Sequence, residues 1–162
     1  MLFYNIYICL QIKGFCLYLC YNIYREVSMN IVHGRGYVYG LQYHIVFCVK
    51  YRKPILTGEA ETRLRDIFSM IAEDNCFTIE EMNMDKDHVH LLISCSPQNY
   101  IPSMMKALKG VSAHKLFKQM PELKKELYKG HLWNPSYFVA TVSENTETQI
   151  REYIRAQKVV NV

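Results

Sequence analysis

The sequence predicts an α+β fold in which one antiparallel sheet carries helices on one face. Apolar, strand-like runs occur at residues 41–49, 88–95 and 136–142, and residues 77–84 alternate between apolar and polar types. Two segments with apolar residues at helical spacing separate these strands. The resulting order is strand, helix, strand, strand, helix, strand, which is the split βαββαβ pattern of ferredoxin-like folds. A closing helix follows the last strand.

The first strand is predicted within residues 37–51, which are rich in Tyr, Val, Ile and Phe. Its apolar character is nearly continuous after His44, and this continuity favours a central strand that is covered on both faces. Pro54 stops the strand shortly after a basic stretch. Within that stretch, Lys50 and Arg52 are candidate phosphate contacts, although a solvated strand end explains them equally well.

A helix is predicted from Gly58 to Asn75, because its apolar residues recur at helical spacing and charged residues cover the other side. The alternating residues 77–84 are then predicted to form a strand with a bulge at the two glutamates. Asp85, Lys86 and Asp87 form the turn of a hairpin that leads into the strand His88–Cys95.

The second helix is predicted from Ile101 to about Met120, with lysines but no acidic residues between positions 106 and 118. This side of the helix indicates phosphate binding or, with equal weight, an ordinary solvated lysine face. The candidate phosphate contacts on it are Lys106, Lys109 and Lys115. The only tryptophan, Trp133, lies in an irregular loop.

Two histidines stand at the start of the strand His88–Cys95. Because residues two apart point to the same face of a strand, His88 and His90 are expected side by side, with Val89 turned into the core. Two neighbouring imidazoles supply part of a metal site. An isolated His-x-His is nevertheless more often a surface or core feature than a metal site, so this pair alone does not decide the function.

The closing helix is predicted from about Gln149 to Lys158, where good helix formers occur without Gly or Pro. Tyr153 and Gln157 are four residues apart and share one side of this helix. A tyrosine nucleophile and an amide oxygen placed in this way can both reach one metal-bound phosphate. The alternative is an amphipathic helix with a half-exposed tyrosine.

Composition is compatible with one domain that acts on nucleic acid. The chain has 162 residues, a formal charge of +4 and a pI near 8.7, which permits but does not require binding to nucleic acid. None of the six cysteines forms a C-x-x-C pair, so we expect reduced thiols and a cytoplasmic protein.

Residues 1–29 differ from the rest. Within them, Leu2 to Tyr24 form an aromatic-rich apolar run interrupted by Lys13, and a lysine at the centre of a bilayer costs about 3 kcal/mol. We interpret them as a dispensable extension translated from upstream sequence, and residues 30–162 as the functional domain. A membrane anchor is the alternative, but no stable membrane association is expected.

Four blocks of this sequence, in this order, carry a family resemblance: HVHLL after DKD, KALKGVSAHKLF, HLWNPSYFVATV and YIRAQK. Together they resemble the single-tyrosine HUH transposases of the smallest bacterial and archaeal insertion sequences. The resemblance spans about residues 34–158. It implies that His88 and His90 are metal ligands, that Tyr153 is the nucleophile, and that Gln157 is the third protein ligand.

The same resemblance implies the reaction and the partners, with Lys106, Lys109 and Lys115 as DNA contacts and Trp133 as a ring that stacks on a DNA base. Transposases of this kind cleave and rejoin single-stranded DNA with hairpin ends through a covalent 5′-phosphotyrosine, with Mg²⁺ as the cellular ion and Mn²⁺ also suitable, and they act as homodimers. Two alternatives stay open from the sequence: a domesticated relative that cuts repeat hairpins, and an inactive protein that binds single-stranded DNA.

Overall fold

The computed structural model describes residues 31–33 and 36–142, and it has the mixed α+β architecture that the sequence predicts. A four-stranded antiparallel sheet contains β3 (Gln42–Cys48), β4 (Phe77–Asp85), β5 (His88–Cys95) and β6 (Phe138–Val142). Its strand order is β4-β5-β3-β6, so β3 and β5 are the two inner strands. The pairing of β4 with β5 shifts register between Ile79 and Glu81, which confirms the predicted bulge.

A small hairpin precedes the sheet and was not predicted. β1 (Val32–His33) pairs with β2 (Val38–Tyr39) in two antiparallel residue pairs. These four residues are largely exposed and make their own two-stranded sheet. A two-residue strand carries too little periodic pattern to be recognised from sequence.

Helix α1 (Glu59–Asp74) confirms the predicted first helix. The second helix begins at Ile101 as expected, but it is composite: α2 (Ile101–Lys106) continues through a π-helical segment (Ala107–Val111) into α3 (Ser112–Gln119). A short helix, α4 (Pro121–Glu126), completes the described helical part, and Pro121 at its first position suits a helix start.

One hydrophobic cluster joins the helices to one face of the sheet. Ile45 and Phe47 of β3 point into it, and the Phe47 ring lies edge-on to Phe68 of α1, with ring centroids 5.9 Å apart. The prediction that β3 is covered on both faces stays a prediction, because the closing helix predicted at residues 149–158 lies outside the described residues. On the opposite face of the strand, His44 and Val46 are only half-buried. We call this second side of the sheet the open face.

Candidate functional site

His88 and His90 lie side by side on the open face, near the start of β5. Their ring centroids are 5.0 Å apart and both side chains are half-buried. Val89, between them, is fully buried on the other face. Strand alternation therefore places the two imidazoles as the sequence predicts, and the core contact of Val89 holds this part of the strand in place.

His88 is oriented by an acidic neighbour. Its Nδ1–H donates to Asp87 Oδ1 over 2.6 Å, and Arg52 Nε–H donates to the other oxygen, Asp87 Oδ2, over 2.7 Å. Burial alone would raise the pKa of the Asp87 carboxyl, but the hydrogen bonds and charges of Arg52 and His88 together lower it. The carboxylate therefore stays ionised, and it holds the hydrogen of His88 on Nδ1.

His90 is oriented by a third histidine. His44 Nε2 and His90 Nδ1 are 3.1 Å apart and share one hydrogen, and the two rings stack with centroids 5.4 Å apart. Burial, followed by the charges of His88 and His44, lowers the pKa of His90 to about 4, and burial also lowers the pKa of His44. At neutral pH both rings are therefore uncharged, as a metal ligand must be.

These contacts suit a divalent metal ion. A histidine whose Nδ1–H donates to a neighbour presents the lone pair of Nε2, and such a partner commonly orients a metal-ligating imidazole. Asp85 is close by: one carboxylate oxygen of Asp85, one of Asp87 and a ring nitrogen of His88 lie within 4.8 Å of one another. Because Asp87 already accepts from Arg52 and His88, Asp85 is the better oxygen donor of the two.

Sequence reasoning missed three members of this site. Asp85 and Asp87 were assigned only to a charged turn, although an acidic residue directly before His-x-His is itself a signal of an orienting carboxylate. His44 was assigned only to a strand. Its pairing with His90 depends on the register of β3 against β5, in which Val46 lies opposite His90, and no local pattern gives that register.

The predicted lysine contacts do not share one exposed side of the second helix. Lys106 is exposed, but Lys109 Nζ donates to the carbonyl oxygen of Pro135 over 2.8 Å, and Lys115 contacts Met70 Sδ on α1. Lys109 and Lys115 thus face different parts of the protein, and both are half-buried. These two ammonium groups thus have contacts within the fold, and the DNA contacts predicted for Lys106, Lys109 and Lys115 stay predictions.

Lys50 and Arg52 lie on a 3₁₀ turn (Lys50–Arg52) that follows β3. Arg52 is exposed and makes the ion pair with Asp87, so it contributes to the histidine site in a way that the sequence did not indicate. Lys50 Nζ lies 5.0 Å from the ring centroid of the neighbouring Tyr51. Both remain candidate phosphate contacts.

The structure corrects the prediction for Trp133. Its side chain is 7% exposed and packs edge-on against Phe47, with ring centroids 4.8 Å apart. The indole Nε1–H donates over 2.9 Å to Oγ of Ser112, which is fully buried. A ring in this position cannot stack on a DNA base. The loop looked exposed because of its Gly and Pro residues, but a bridge between Val49 and Trp133 ties it to the core.

Trp133→Phe is therefore expected to lower the free energy of unfolding by about 1–3 kcal/mol, because the indole hydrogen bond is lost and the smaller ring leaves space. Urea unfolding monitored by circular dichroism measures this change. DNA affinity of the folded variant should stay within about twofold of the original. Unchanged stability together with weakened DNA binding would restore the stacking role.

Tyr153 and Gln157 lie outside the described residues, so their predicted roles stay predictions. The same holds for the apolar segment at residues 1–29. Among the residues that the structure does describe, no helix combines the length and the apolar character needed to cross a bilayer.

Comparison with known proteins identifies the family. Residues 37–157 match the model of the family described as "Transposase IS200 like". The ISDra2 transposase TnpA of Deinococcus radiodurans is 49% identical over 134 residues, which are 83% of this chain and 96% of that protein. The transposase of insertion sequence IS200 from Salmonella typhimurium is 34% identical over 128 residues, which are 79% of this chain and 82% of that protein.

Solved structures agree with this match. A crystal structure of a protein from Deinococcus radiodurans R1 that is assigned as a transposase superposes with a TM-score of 0.66 and 46% identity, covering 78% of this chain and 97% of that one. A REP-associated tyrosine transposase bound to a REP hairpin shares the fold at 17% identity, with a TM-score of 0.50 over 85% of this chain and 75% of that one. The chain therefore belongs to the IS200-like transposase family.

Proposed function

We propose that this transposase cleaves and rejoins single-stranded DNA through a covalent 5′-phosphotyrosine on Tyr153, at a divalent-metal site formed by His88, His90 and Gln157. The observation that carries the proposal is the pair of strand histidines on the open face, each with its Nδ1 hydrogen-bonded to a neighbour. Asp85 is close enough to contribute an oxygen. Mg²⁺ is the more available ion in cells, and Mn²⁺ binds nitrogen ligands more readily than Mg²⁺ does.

A divalent ion at this site would neutralise charge on the scissile phosphate and orient it for in-line attack. The phenol oxygen of Tyr153 then loses its proton and forms a bond to phosphorus, while the bond to the 3′ oxygen breaks and that oxygen gains a proton. The products are a 5′-phosphotyrosine and a free 3′-hydroxyl. Attack of a 3′-hydroxyl on the phosphotyrosine reverses these changes and joins strands without ATP.

The fold and the assembly belong to the same proposal. The strand order β4-β5-β3-β6, with antiparallel neighbours throughout, supports the ferredoxin-like classification. The half-buried open face is a suitable surface for the helix that carries Tyr153, supplied by the same chain or by the partner in a homodimer. We expect hairpin-bearing single-stranded DNA as the substrate and the cytoplasm as the place of action.

End-labelled DNA tests the proposal. A hairpin oligonucleotide from the flanks of the gene is labelled at its 5′ or its 3′ end and incubated with the protein and Mn²⁺ or Mg²⁺, and the products are separated on a denaturing gel. We expect a covalent protein–DNA band that carries only the 3′ label and disappears with EDTA. A covalent band carrying the 5′ label would mean that the protein is joined to a 3′ phosphate, which is the opposite of the proposed polarity of cleavage. Binding without any covalent band would favour an inactive DNA-binding protein.

A further inference from the structure

Two tyrosines on separate turns bring their rings together at the surface. Tyr51, on the turn after β3, is 69% exposed, and Tyr128, on the turn after α4 (Tyr128–Gly130), is 55% exposed. The ring centroids are 5.6 Å apart and the ring planes are inclined by 78°. Aromatic rings normally contribute to stability by being buried, so a pair that is mostly exposed indicates a binding surface.

The ammonium group of a lysine lies close to each ring. Lys50 Nζ lies 5.0 Å from the centroid of the Tyr51 ring, and Lys129 Nζ lies 5.3 Å from the centroid of the Tyr128 ring. Arg52 and Lys53 are exposed beside them. An aromatic ring next to an ammonium group matches one nucleotide of a single strand, since the base stacks on the ring and the phosphate pairs with the cation.

The backbone of both turns adopts a conformation that costs energy. Tyr51 and Lys129 have φ values of 58° and 52°, in the left-handed region that residues with a Cβ rarely adopt. Hydrogen bonds hold the turns in this state: Lys50 N–H donates to Leu132 O over 2.8 Å, and Gly130 N–H donates to Leu127 O over 3.1 Å. Strained positions that the fold keeps in place are commonly associated with ligand binding.

The tyrosine pair is connected to the histidine site. Arg52 follows Tyr51 directly in the chain, and its guanidinium holds Asp87, which in turn accepts from His88. The turn that carries Tyr51 therefore lies beside the turn that leads into the histidine site, which Val49 N–H also contacts by donating to Asp87 O over 2.8 Å.

We propose that Tyr51 and Tyr128, together with Lys50 and Lys129, form a stacking platform for an unpaired nucleotide of the DNA strand that flanks the cleaved phosphate. The identity of the ligand, DNA, rests on the proposed function. The arrangement of the two rings and the two lysines does not depend on it. The charge of the four residues favours DNA over a second copy of this basic chain.

Binding of a fluorescent single-stranded oligonucleotide, measured by anisotropy in the Tyr153→Phe background to prevent cleavage, tests the platform. Tyr51→Ala and Tyr128→Ala are each expected to weaken binding roughly 5- to 100-fold, the usual range for loss of one stacked base. Phenylalanine at either position keeps the ring and should bind within about threefold of the original. Tyr100→Ala, at an exposed tyrosine before α2, is the matched control.

Abasic substitution identifies the nucleotide. At one position of the strand, removal of the base should weaken binding to the original protein but not to the Tyr51→Ala, Tyr128→Ala double variant, because both changes remove the same contact. Lys50→Gln should lower the slope of log affinity against log salt by about 0.7. Equal abasic losses in both proteins, or alanine variants that bind as the original does, would overturn the platform.

Two further results separate the possible failures. If the original protein forms no covalent complex but binding depends on the two tyrosines, the platform stands and the phosphotyrosine chemistry fails. If the covalent complex forms and DNA affinity is unchanged in the alanine variants of Tyr51 and Tyr128, the platform alone fails. Loss of a dimer in the double variant, seen by sedimentation without any change in DNA affinity, would assign this surface to contact between copies and overturn the proposal.

Discussion

Tyr153→Phe is expected to abolish the covalent protein–DNA complex and to reduce strand cleavage by more than about 10³-fold. The substitution removes one oxygen, the atom that we propose forms the bond to phosphorus, and leaves an aromatic ring of nearly the same shape. Binding of the hairpin oligonucleotide should therefore stay within about threefold of the original. Gel analysis of the covalent complex and anisotropy of the bound DNA measure the two effects separately.

Tyr100→Phe is the matched control, because it removes the same oxygen from an exposed tyrosine at the start of α2. Its covalent complex should form as in the original protein. Cleavage that survives Tyr153→Phe would mean that a water molecule attacks the phosphate, and the protein would then be a metal-dependent nuclease. Loss of DNA binding together with cleavage would instead assign Tyr153 a structural role.

The helices and strands were predictable where the sequence pattern is local. Residues 59–74 show helical spacing, and the strand His88–Cys95 follows a charged turn, so both were found close to their observed bounds. The placement of His88 and His90 on one face needed only the two-residue period of a strand. Such features depend on neighbouring residues in the chain, which a sequence displays directly.

The misses depend on contacts between distant residues. Trp133 lies in a loop with Gly and Pro on either side, and only its hydrogen bond with Ser112 and its packing on Phe47 make it a core residue. Lys109 was assigned to a side of the second helix that faces either phosphate or solvent, yet its ammonium group donates to backbone carbonyls 26 and 27 residues away. Local composition indicates polarity, but it does not indicate which side of a loop or helix another segment will cover.

His44 shows the same limit inside the candidate site. It is one of several polar residues in a strand, and its sequence neighbourhood gives it no metal-site signal. Only the antiparallel pairing of β3 with β5 brings its Nε2 to 3.1 Å from His90 Nδ1. A local motif thus indicated the two candidate ligands, His88 and His90, while their hydrogen-bond partners, Asp87 and His44, became visible only in the structure.

His90→Ala is expected to weaken binding of Mn²⁺ by more than about 100-fold, because loss of a ligand should exceed the 10- to 100-fold loss usual for an orienting neighbour. Cleavage should fall by about 10³-fold, the equivalent of the several kcal/mol that a bound divalent ion supplies to phosphoryl transfer. Isothermal titration with Mn²⁺ measures the affinity in the absence of DNA. His114→Ala, at an exposed histidine of α3, is the control and should change neither quantity.

The hydrogen bond between His44 and His90 leads to a more specific prediction. A hydrogen shared between two neutral imidazoles has two arrangements, and only the one in which His90 Nδ1–H donates to His44 Nε2 presents the Nε2 lone pair of His90 to a metal. His44→Phe keeps an aromatic ring beside His90 but removes the acceptor. It should therefore weaken Mn²⁺ binding about 10- to 100-fold, less than His90→Ala does.

Combining the two changes decides between orientation and general damage. If His44 acts through His90, His44→Phe should have no further effect on Mn²⁺ affinity once His90 is alanine, since the interaction it supports is already gone. Additive losses would mean that His44 contributes to the site independently. Unchanged Mn²⁺ binding in His90→Ala would place the metal elsewhere, with the Asp85, Asp87 and His88 cluster as the alternative, because its ligand atoms already lie within 4.8 Å of one another.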